Sequence, residues 1–506
     1  MVRRRLAMFR ADCTPGRTDQ RMSGPVSTSP QTTDTDPGQR PWVVQDWDRR
    51  SFRVNRAAYR DPEVFAAEQR EIWERTWLYL GHETELPKPN DFKVRTLAGR
   101  PLIFTRDSAG ELHAFLNSCP HRGTVLCRES QGNSRLFQCF YHAWTFRNNG
   151  DVAAIPDAGA YATEGFAESM GLRSVARMEV YGGYVFVSFS ADVPPLREHL
   201  GAAADYIDMI NDQHVAGMEV LPGTQLYSVR GNWKLAVENA MDGYHFAPTH
   251  NTFVGYLRES GFAVDDDDQY AYNLGNGHSL LILTGHGGRI SMVWEPRFGE
   301  DERVRTVEHR REMELRLGSE RAHLVADESH ILFVFPNLLL FDIEGLSIRQ
   351  LEPVAPGQTD VRAWQLVARD EDPACRDLRL KTVVSFVGPG GLATPDDIEA
   401  YEAVQRGIEA TAEEQRAELD YSDMSRGMAD DRTGVRGRST DEGAMRGFWR
   451  HWVRAAGLGE PRDVGTAPPE APEPTPQPSK RPHGLDEILA GLETTETTEQ
   501  AAGVAR

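Results

Sequence analysis

The stretch NSCPHRGTVLC, residues 117–127, sets a cysteine and a histidine one residue apart at Cys119 and His121, and ends in a further cysteine, Cys127. Downstream, QCFYHAW (138–144) supplies Cys139 and His142. The full pattern is C-x-H, 17 residues, then C-x-x-H. Two ligand pairs on two loops, each flanked by strand-like sequence, make a four-point metal cage. Two groups suit such a donor set. One is a structural tetrahedral zinc, which cysteine and histidine bind readily. The other is a [2Fe–2S] cluster with two cysteines on one iron and two histidines on the other. Zinc-finger pairs usually keep at least two residues between ligands, and Cys119 and His121 have one. The spacing favours the cluster. Cys127 falls outside the pattern and reads as a small buried residue. Cys13 and Cys375 have no partner pattern.

The surrounding composition is that of a globular chain. Of 506 residues, 40% are hydrophobic and 26% charged. A net charge of −20 argues against a nucleic-acid or anionic-membrane surface, since both need concentrated positive charge. The longest apolar runs, ILFVF (331–335) and LLLF (338–341), fall far short of the roughly 20 residues that span a bilayer, and read as buried strands. Five cysteines are too few for a disulfide framework and suit a reducing compartment. The arginine-rich start lacks an apolar run of signal-peptide length, so a cytoplasmic protein is expected.

Residues 1–41 are rich in Ser, Thr, Asp, Pro and Gly and read as a disordered tail. Helical periodicity in PEVFAAEQREIWERTWLYL marks 42–77 as a helical N-terminal part. From 78 to 190, short strand-like runs follow at about ten-residue spacing, as in a small sandwich or barrel. Between 191 and 460 helices and strands mix, with strands expected at 279–284, 330–342, 346–354 and 361–368 and helices at 395–419 and 441–455. A Pro-rich tail, 461–506, closes the chain; within it GLDEILAGLE (484–493) reads as a short helix. The fold class is therefore α+β, a small all-β domain followed by a larger mixed one.

A second constellation lies in GNWKLAVENAMDGYHFAPTH (231–250). His245 and His250 are five apart, which leaves them about 140° apart on a regular helix. One metal can take both only if the helix breaks, and Pro248 supplies a breaker. Asp242 is three residues before His245, on the same helical face, where a carboxylate can accept from a ligand histidine. Asn239, three residues earlier, extends that face. Far downstream, VGPGGLATPDDIEAYEAVQRG (387–407) places Asp396 and Asp397 after Pro395 at a helix start, where acidic residues are expected for capping and dipole reasons alone.

CPHRG followed by CFYHAW closely resembles the two ligand loops of Rieske proteins. The string NWK…EN…DGYH…TH resembles the mononuclear iron site of Rieske aromatic ring-hydroxylating oxygenases, catalytic α subunit. FPNLLLFD (335–342), LEPVAPGQT (351–359), SRG (425–427) and RGFWRHW (446–452) extend the resemblance over 42–460. It implies a Rieske domain inserted near the start of a helix-grip-like catalytic domain. It implies that Cys119 and Cys139 bind one cluster iron, and His121 and His142 the other. It implies a mononuclear Fe(II) held by His245, His250 and Asp397, with Asp396 as the alternative carboxylate, and open positions for O₂. NAD(P)H electrons would arrive through a reductase, with or without a ferredoxin. In the family's trimers the cluster of one subunit sits beside the iron of the next, and the position of Asp242 bridges the residues matching His142 and His245. A homotrimer or an α₃β₃ assembly with a small β subunit is implied, and a cis-dihydrodiol product. ATPDDIEAYEAVQRG and MDGYHFAPTH look most like the branch acting on benzoate and substituted aromatic carboxylates. No arginine can be assigned to a substrate carboxylate from the sequence. Pocket walls are expected from 251–260, 280–295 and 332–342. The rival within the family is a Rieske monooxygenase; the rivals outside it are a non-catalytic iron–sulfur carrier and a zinc-stabilised binding protein.

Overall fold

The computed structural model describes residues 41–259, 269–283, 299–343, 345–411, 420–428 and 437–466, with Met292 and Trp294. The expected N-terminal tail up to Arg40 and the short helix at 484–493 lie outside the described residues.

The runs that read as buried strands build one large antiparallel sheet. Its order is Met218–Val220, Gln358–Ala368, Leu346–Ala355, Leu338–Asp342, Ser329–Val334, His278–Leu283, Gln269–Gly275 and Gly437–Arg438, with Gln225–Val229 also on Gln358–Ala368. Alternation is invisible in these strands because both faces are covered. Leu280, Ile282, Leu332 and Val334 point into one apolar cluster, with the helices Ala203–Asn211 and Ser319–Asp327. Leu281, Ile331 and Phe333 point into the other, with the helices Trp233–Asn239 and Gly443–Ala455. The single strand expected over 330–342 is a hairpin. Pro336 has no N–H to continue a ladder. Asn337 instead pairs with another strand: its Oδ1 accepts from the Tyr79 N–H at 2.8 Å, and its Nδ2 donates to the Tyr79 carbonyl at 3.1 Å.

The small β domain holds two sheets, ordered Leu112–Leu116, Arg100–Arg106, Asp91–Leu97, Gln131–Asn133 and Val152–Ala154, Thr145–Arg147, Leu136–Gln138. Its own core runs from Phe92 to Leu172. Leu78–His82 and Arg177–Ser188, expected inside that domain, form a separate sheet that joins it to the rest. Leu78, Leu80, Val185 and Val187 enter one catalytic cluster, and Tyr79, Tyr184 and Phe186 the other.

The N-terminal part is only partly helical. Val43–Asp46 and Ser51–Asn55 are strands. A helix follows at Pro62–Glu68, capped by Asp61, and continues as a wider turn to Trp73. The C-terminal tail starts later than expected, because Arg462–Val464 pairs in parallel with Val43–Asp46. Tyr421–Asp423 pairs with Ser51–Asn55 on the other side. The two ends of the folded chain thus meet in one sheet, with the small domain looped out between them. No helix among the described residues is long and apolar enough to cross a membrane.

A buried carboxylate ties the segments around the site. Glu68, on the first helix, faces Lys234 in an ion pair in which both side chains are fully buried. Glu68 also accepts from Trp452 Nε1 at 2.7 Å and Trp233 Nε1 at 3.1 Å. Burial pulls the Lys234 ammonium below its ordinary range, against the charge and hydrogen bond of Glu68. Removing one partner of such a pair costs about 3–5 kcal/mol, because the other charge is left buried alone. Glu68→Gln is therefore expected to lower the urea midpoint strongly, and Glu68→Gln with Lys234→Met to restore much of the loss. A single substitution with an unchanged midpoint would contradict this.

Glu85 joins the linking sheet to the small domain. It pairs with Arg95, lies 3.1 Å from Lys93 Nζ and accepts from the His82 N–H at 2.9 Å. Burial raises its carboxyl, but these groups outweigh burial and bring it from 4.5 down to about 2. A depressed folded value stabilises the fold above the unfolded value and is lost as pH falls towards the folded one. Stability is expected to drop between pH 4.5 and about 2. Urea midpoints across that range should fall less steeply for Glu85→Gln than for the wild type.

Candidate metal centres and active site

The two cysteine–histidine loops are built alike. Cys119 N–H donates to the Thr124 carbonyl and Gly123 N–H to the Cys119 carbonyl, both at 2.8 Å. Cys139 N–H donates to the Trp144 carbonyl at 2.8 Å and Ala143 N–H to the Cys139 carbonyl at 2.9 Å. The fourth residue after each cysteine is left-handed, Gly123 at φ 75° and Ala143 at φ 56°. Glycine takes that conformation without strain, whereas alanine pays roughly 1–2 kcal/mol. Asn117 clamps the first loop, accepting from Cys127 N–H at 2.8 Å and donating to its carbonyl at 2.7 Å.

The loops bring all four expected residues together. The His121 and His142 rings lie 4.6 Å apart, and Trp144 stacks on His121 at 4.7 Å. His121 Nδ1 is buried with no hydrogen-bond partner. Cys119 and Cys139 are buried free thiols. Burial pushes the Cys119 thiol up and the neighbouring Cys139 adds to this, against the His121 N–H. Two thiols without disulfides and an orphaned imidazole nitrogen fit a [2Fe–2S] cluster with mixed ligands. Cys127 is buried in the small-domain core, its Sγ–H directed at the Glu129 carbonyl at 3.6 Å. Outside the cage, Phe140 and Tyr141 are exposed.

The second site is set by where a helix stops. Asn232 caps Trp233–Asn239, accepting from the Lys234 N–H at 3.1 Å. The helix ends at Asn239, well before Phe246, and Pro248 is not the breaker. Asp242 is extended (φ −113°, ψ 99°) and caps the next turn, accepting from the Tyr244 N–H at 2.7 Å. Pro248 sits in the short helix Phe246–Thr249, in the first turn, where proline is tolerated. Gly243 packs against Ser439, where a Cβ would fall 2.7 Å from the serine's own. Asp242 thus reaches His245 through a cap rather than a shared helical face, with Oδ2 at 3.8 Å from Nδ1. Burial raises the Asp242 carboxyl, against the charge of His245 and the Tyr244 N–H.

On the opposite side, Thr394–Ala410 is the helix expected at 395–419, of which 412–419 lie outside the described residues. It carries Asp397 in its first turn. Asp397 Oδ1 lies 3.2 Å from His250 Nε2 and 3.6 Å from His245 Nε2. One ligand atom from each of the three lies within 4.8 Å of the others. Asp396 instead flanks the other nitrogen of His250, at 3.5 Å, with a partly exposed carboxylate. Burial pulls His250 down, but Asp397 and then Asp396 outweigh it and raise it. Asn239 Nδ2 donates to Asp397 Oδ1 at 3.1 Å, a contact the sequence hinted at only through its spacing from Asp242. Two imidazole nitrogens and one carboxylate converging from two helices fit a facial triad for non-haem iron.

A cavity of about 860 Å³, including its mouth, opens onto this triad. Phe253, Leu281, Leu283 and Phe341 come from the expected walls. Phe386, at the end of the helix Pro373–Phe386, Val387 and Ala393, from the loop after it, and Arg349 were not anticipated. The signal for Arg349 was a lone cation, in SIRQLEP, within a strand whose neighbours are all buried.

Comparison with known proteins agrees with this architecture. Residues 76–173 match the Rieske [2Fe-2S] domain, and residues 203–457 match the ring hydroxylating alpha subunit (catalytic domain). The chain is 34% identical over 393 residues to toluate 1,2-dioxygenase subunit alpha of Pseudomonas putida, covering 76% of this chain and 84% of that one. It is 33% identical over 384 residues to the 2-halobenzoate 1,2-dioxygenase large subunit of Burkholderia cepacia, covering 74% and 80%. The crystal structure of naphthalene 1,2-dioxygenase from Rhodococcus sp. bound to indole superposes with a TM-score of 0.69 at 27% identity, over 80% of this chain and 94% of that one. With a Rieske domain followed by this catalytic domain, the chain belongs to the alpha subunits of the Rieske non-haem iron ring-hydroxylating dioxygenases.

Proposed function

We propose that this chain is the terminal oxygenase of a multicomponent system that converts an aromatic carboxylate to a cis-dihydrodiol with O₂ and NAD(P)H-derived electrons. The observation that carries this is the apolar cavity opening onto the His245, His250 and Asp397 convergence. Relatives named as toluate, 2-halobenzoate and anthranilate 1,2-dioxygenases support the aromatic-acid reading. A reductase, with or without a ferredoxin, delivers the electrons, and a small β subunit completes an α₃β₃ assembly or the chain works as a homotrimer.

In this reading Cys119, His121, Cys139 and His142 hold the cluster, and His245, His250 and Asp397 hold the lone iron. When bound, these groups supply one-electron transfer and O₂ activation. The chain's own residues do the rest. Asn239 fixes the Asp397 carboxylate from one side, leaving its remaining lone pairs for the metal. Phe246, Phe253 and Phe386 wall the cavity, excluding water and taking the faces of a planar ring. Asp242 faces the outer nitrogen of His245 across 3.8 Å. Within one chain Asp242 and His142 share no hydrogen bond or ion pair. Asp242 would link neighbouring subunits, standing between His142 of one and His245 of the next, as the family resemblance implies.

Turnover of a panel of aromatic acids with a compatible reductase and ¹⁸O₂ tests the function. The expected product is a cis-diol carrying label in both oxygens. Label in a single oxygen would make the enzyme a monooxygenase, and success on neutral arenes alone would sink the acid substrate. Asp242→Asn is expected to retain both metal groups and lower oxygen-coupled turnover by about 10–100-fold, the effect of losing a histidine-orienting partner. Wild-type turnover in that variant would remove Asp242 from the route.

A further inference from the structure

Arg349 projects from the strand Leu346–Ala355 into the cavity above the triad, and it is only 7% exposed. Its Nη2 donates to the Val387 carbonyl at 3.1 Å and to Thr394 Oγ1 at 2.9 Å, and its guanidinium lies 4.2 Å over the Phe341 ring. These partners are all neutral. Among the described residues no carboxylate lies within ion-pair distance of it. Two of its five N–H bonds are used, which leaves one on Nε and two on Nη1.

A buried cation without a counter-charge is costly, and the contacts it does make do not require charge. A neutral amide could tether Val387 and Thr394 equally well. Three other buried guanidinium groups have carboxylates: Arg95 has Glu85, Arg310 has Asp327 and Arg379 has Glu371. The acids closest along the chain to the Arg349 contacts are Asp396, which faces His250 at 3.5 Å, and Asp397, one helical turn beyond Thr394. In the reading above the charge of Asp397 is committed to the iron. The Arg349 guanidinium thus stands without a carboxylate partner at one wall of a cavity to which Phe246, Phe253 and Phe386 contribute their rings.

We propose that Arg349 is the substrate-binding residue that takes the carboxylate of the aromatic acid, through Nε and Nη1, while the ring lies between the phenylalanines. This rests on the aromatic-acid reading and names the group that enforces it. A carboxylate supplies the missing counter-ion and accepts charge-assisted hydrogen bonds. A neutral arene of the same shape does neither and leaves the cation unpaired. Arg349 therefore selects acids over isosteric neutral rings. Thr394 and Val387 fix the guanidinium, so that selection is coupled to the segment that leads into the helix carrying Asp397.

The test compares wild type, Arg349→Gln and Arg349→Lys as holoenzyme with benzoate and with nitrobenzene, a neutral planar isostere. Benzoate binding to the oxidised holoenzyme is measured by calorimetry alongside steady-state kinetics. The ratio of kcat/KM for benzoate to that for nitrobenzene is expected to fall roughly 100-fold in Arg349→Gln, the size of a lost charged hydrogen bond, with benzoate Kd rising in parallel and iron content kept. Arg349→Lys keeps the charge without the fork and should lie between. An unchanged ratio or Kd in Arg349→Gln overturns the proposal. Loss of both substrates alike in both variants, with iron retained, also overturns it, since that is a structural role. A wild type that binds and oxidises no aromatic acid overturns the substrate reading beneath it, an outcome visible before any variant is made.

Discussion

Glu68 is the point from which the catalytic half is hung. It sits at the end of the first helix, yet it receives Lys234 and Trp233 from the start of the iron-site helix and Trp452 from the C-terminal helix. Charge and hydrogen bonds are satisfied there without water, so the three helices cannot slide independently. Glu238, one turn on from Lys234, repeats the device, accepting from Tyr59 Oη at 2.6 Å and Trp449 Nε1 at 2.9 Å. Burial lifts the Glu238 carboxyl to about 7, against these two donors. The next residue is Asn239, which donates to Asp397. The polar core therefore ends at a side chain that orients the metal-facing carboxylate.

The same rigidity explains why the iron-site histidines need a break rather than a helix. The fixed helix stops at Asn239. Asp242 then restarts the chain by capping a new turn, and the pressed contact of Gly243 on Ser439 sets its direction. Only this restart lets two histidines five residues apart aim at one carboxylate. The cluster loops solve a related problem differently. Each folds its backbone tightly around a cysteine with two hydrogen bonds, and an aromatic ring packs on the neighbouring histidine, stacked on His121 and tilted against His142.

The candidate ligand residues were legible because their chemistry is rare and local: Cys119, His121, Cys139 and His142 announce themselves by spacing. The β-rich core was legible from unbroken apolar runs. The helix Glu300–Leu317 was not, because its buried stripe is Glu302, Thr306, Arg310 and Met313, mostly polar and silent to hydrophobic periodicity. The hairpin at Pro336 was hidden by equally apolar flanks. The strands at Val43–Asp46 and Arg462–Val464 are stabilised by each other, across more than 400 residues, and neither reads alone. Pro248 misled for a physical reason: proline is as welcome in a first turn as it is disruptive in an interior. Arg349 was marked only as a lone cation in a strand, which says nothing about what faces it.

The central claim is that one chain carries two separate metal groups, a cluster on the looped-out domain and a lone iron on His245, His250 and Asp397. The direct measurement is iron and acid-labile sulfide content, with visible and EPR spectra, for wild type and Asp397→Ala prepared side by side. The account predicts that the variant keeps its sulfide and cluster spectrum and loses only the lone iron. An unchanged iron content, or loss of the cluster with it, would contradict the account.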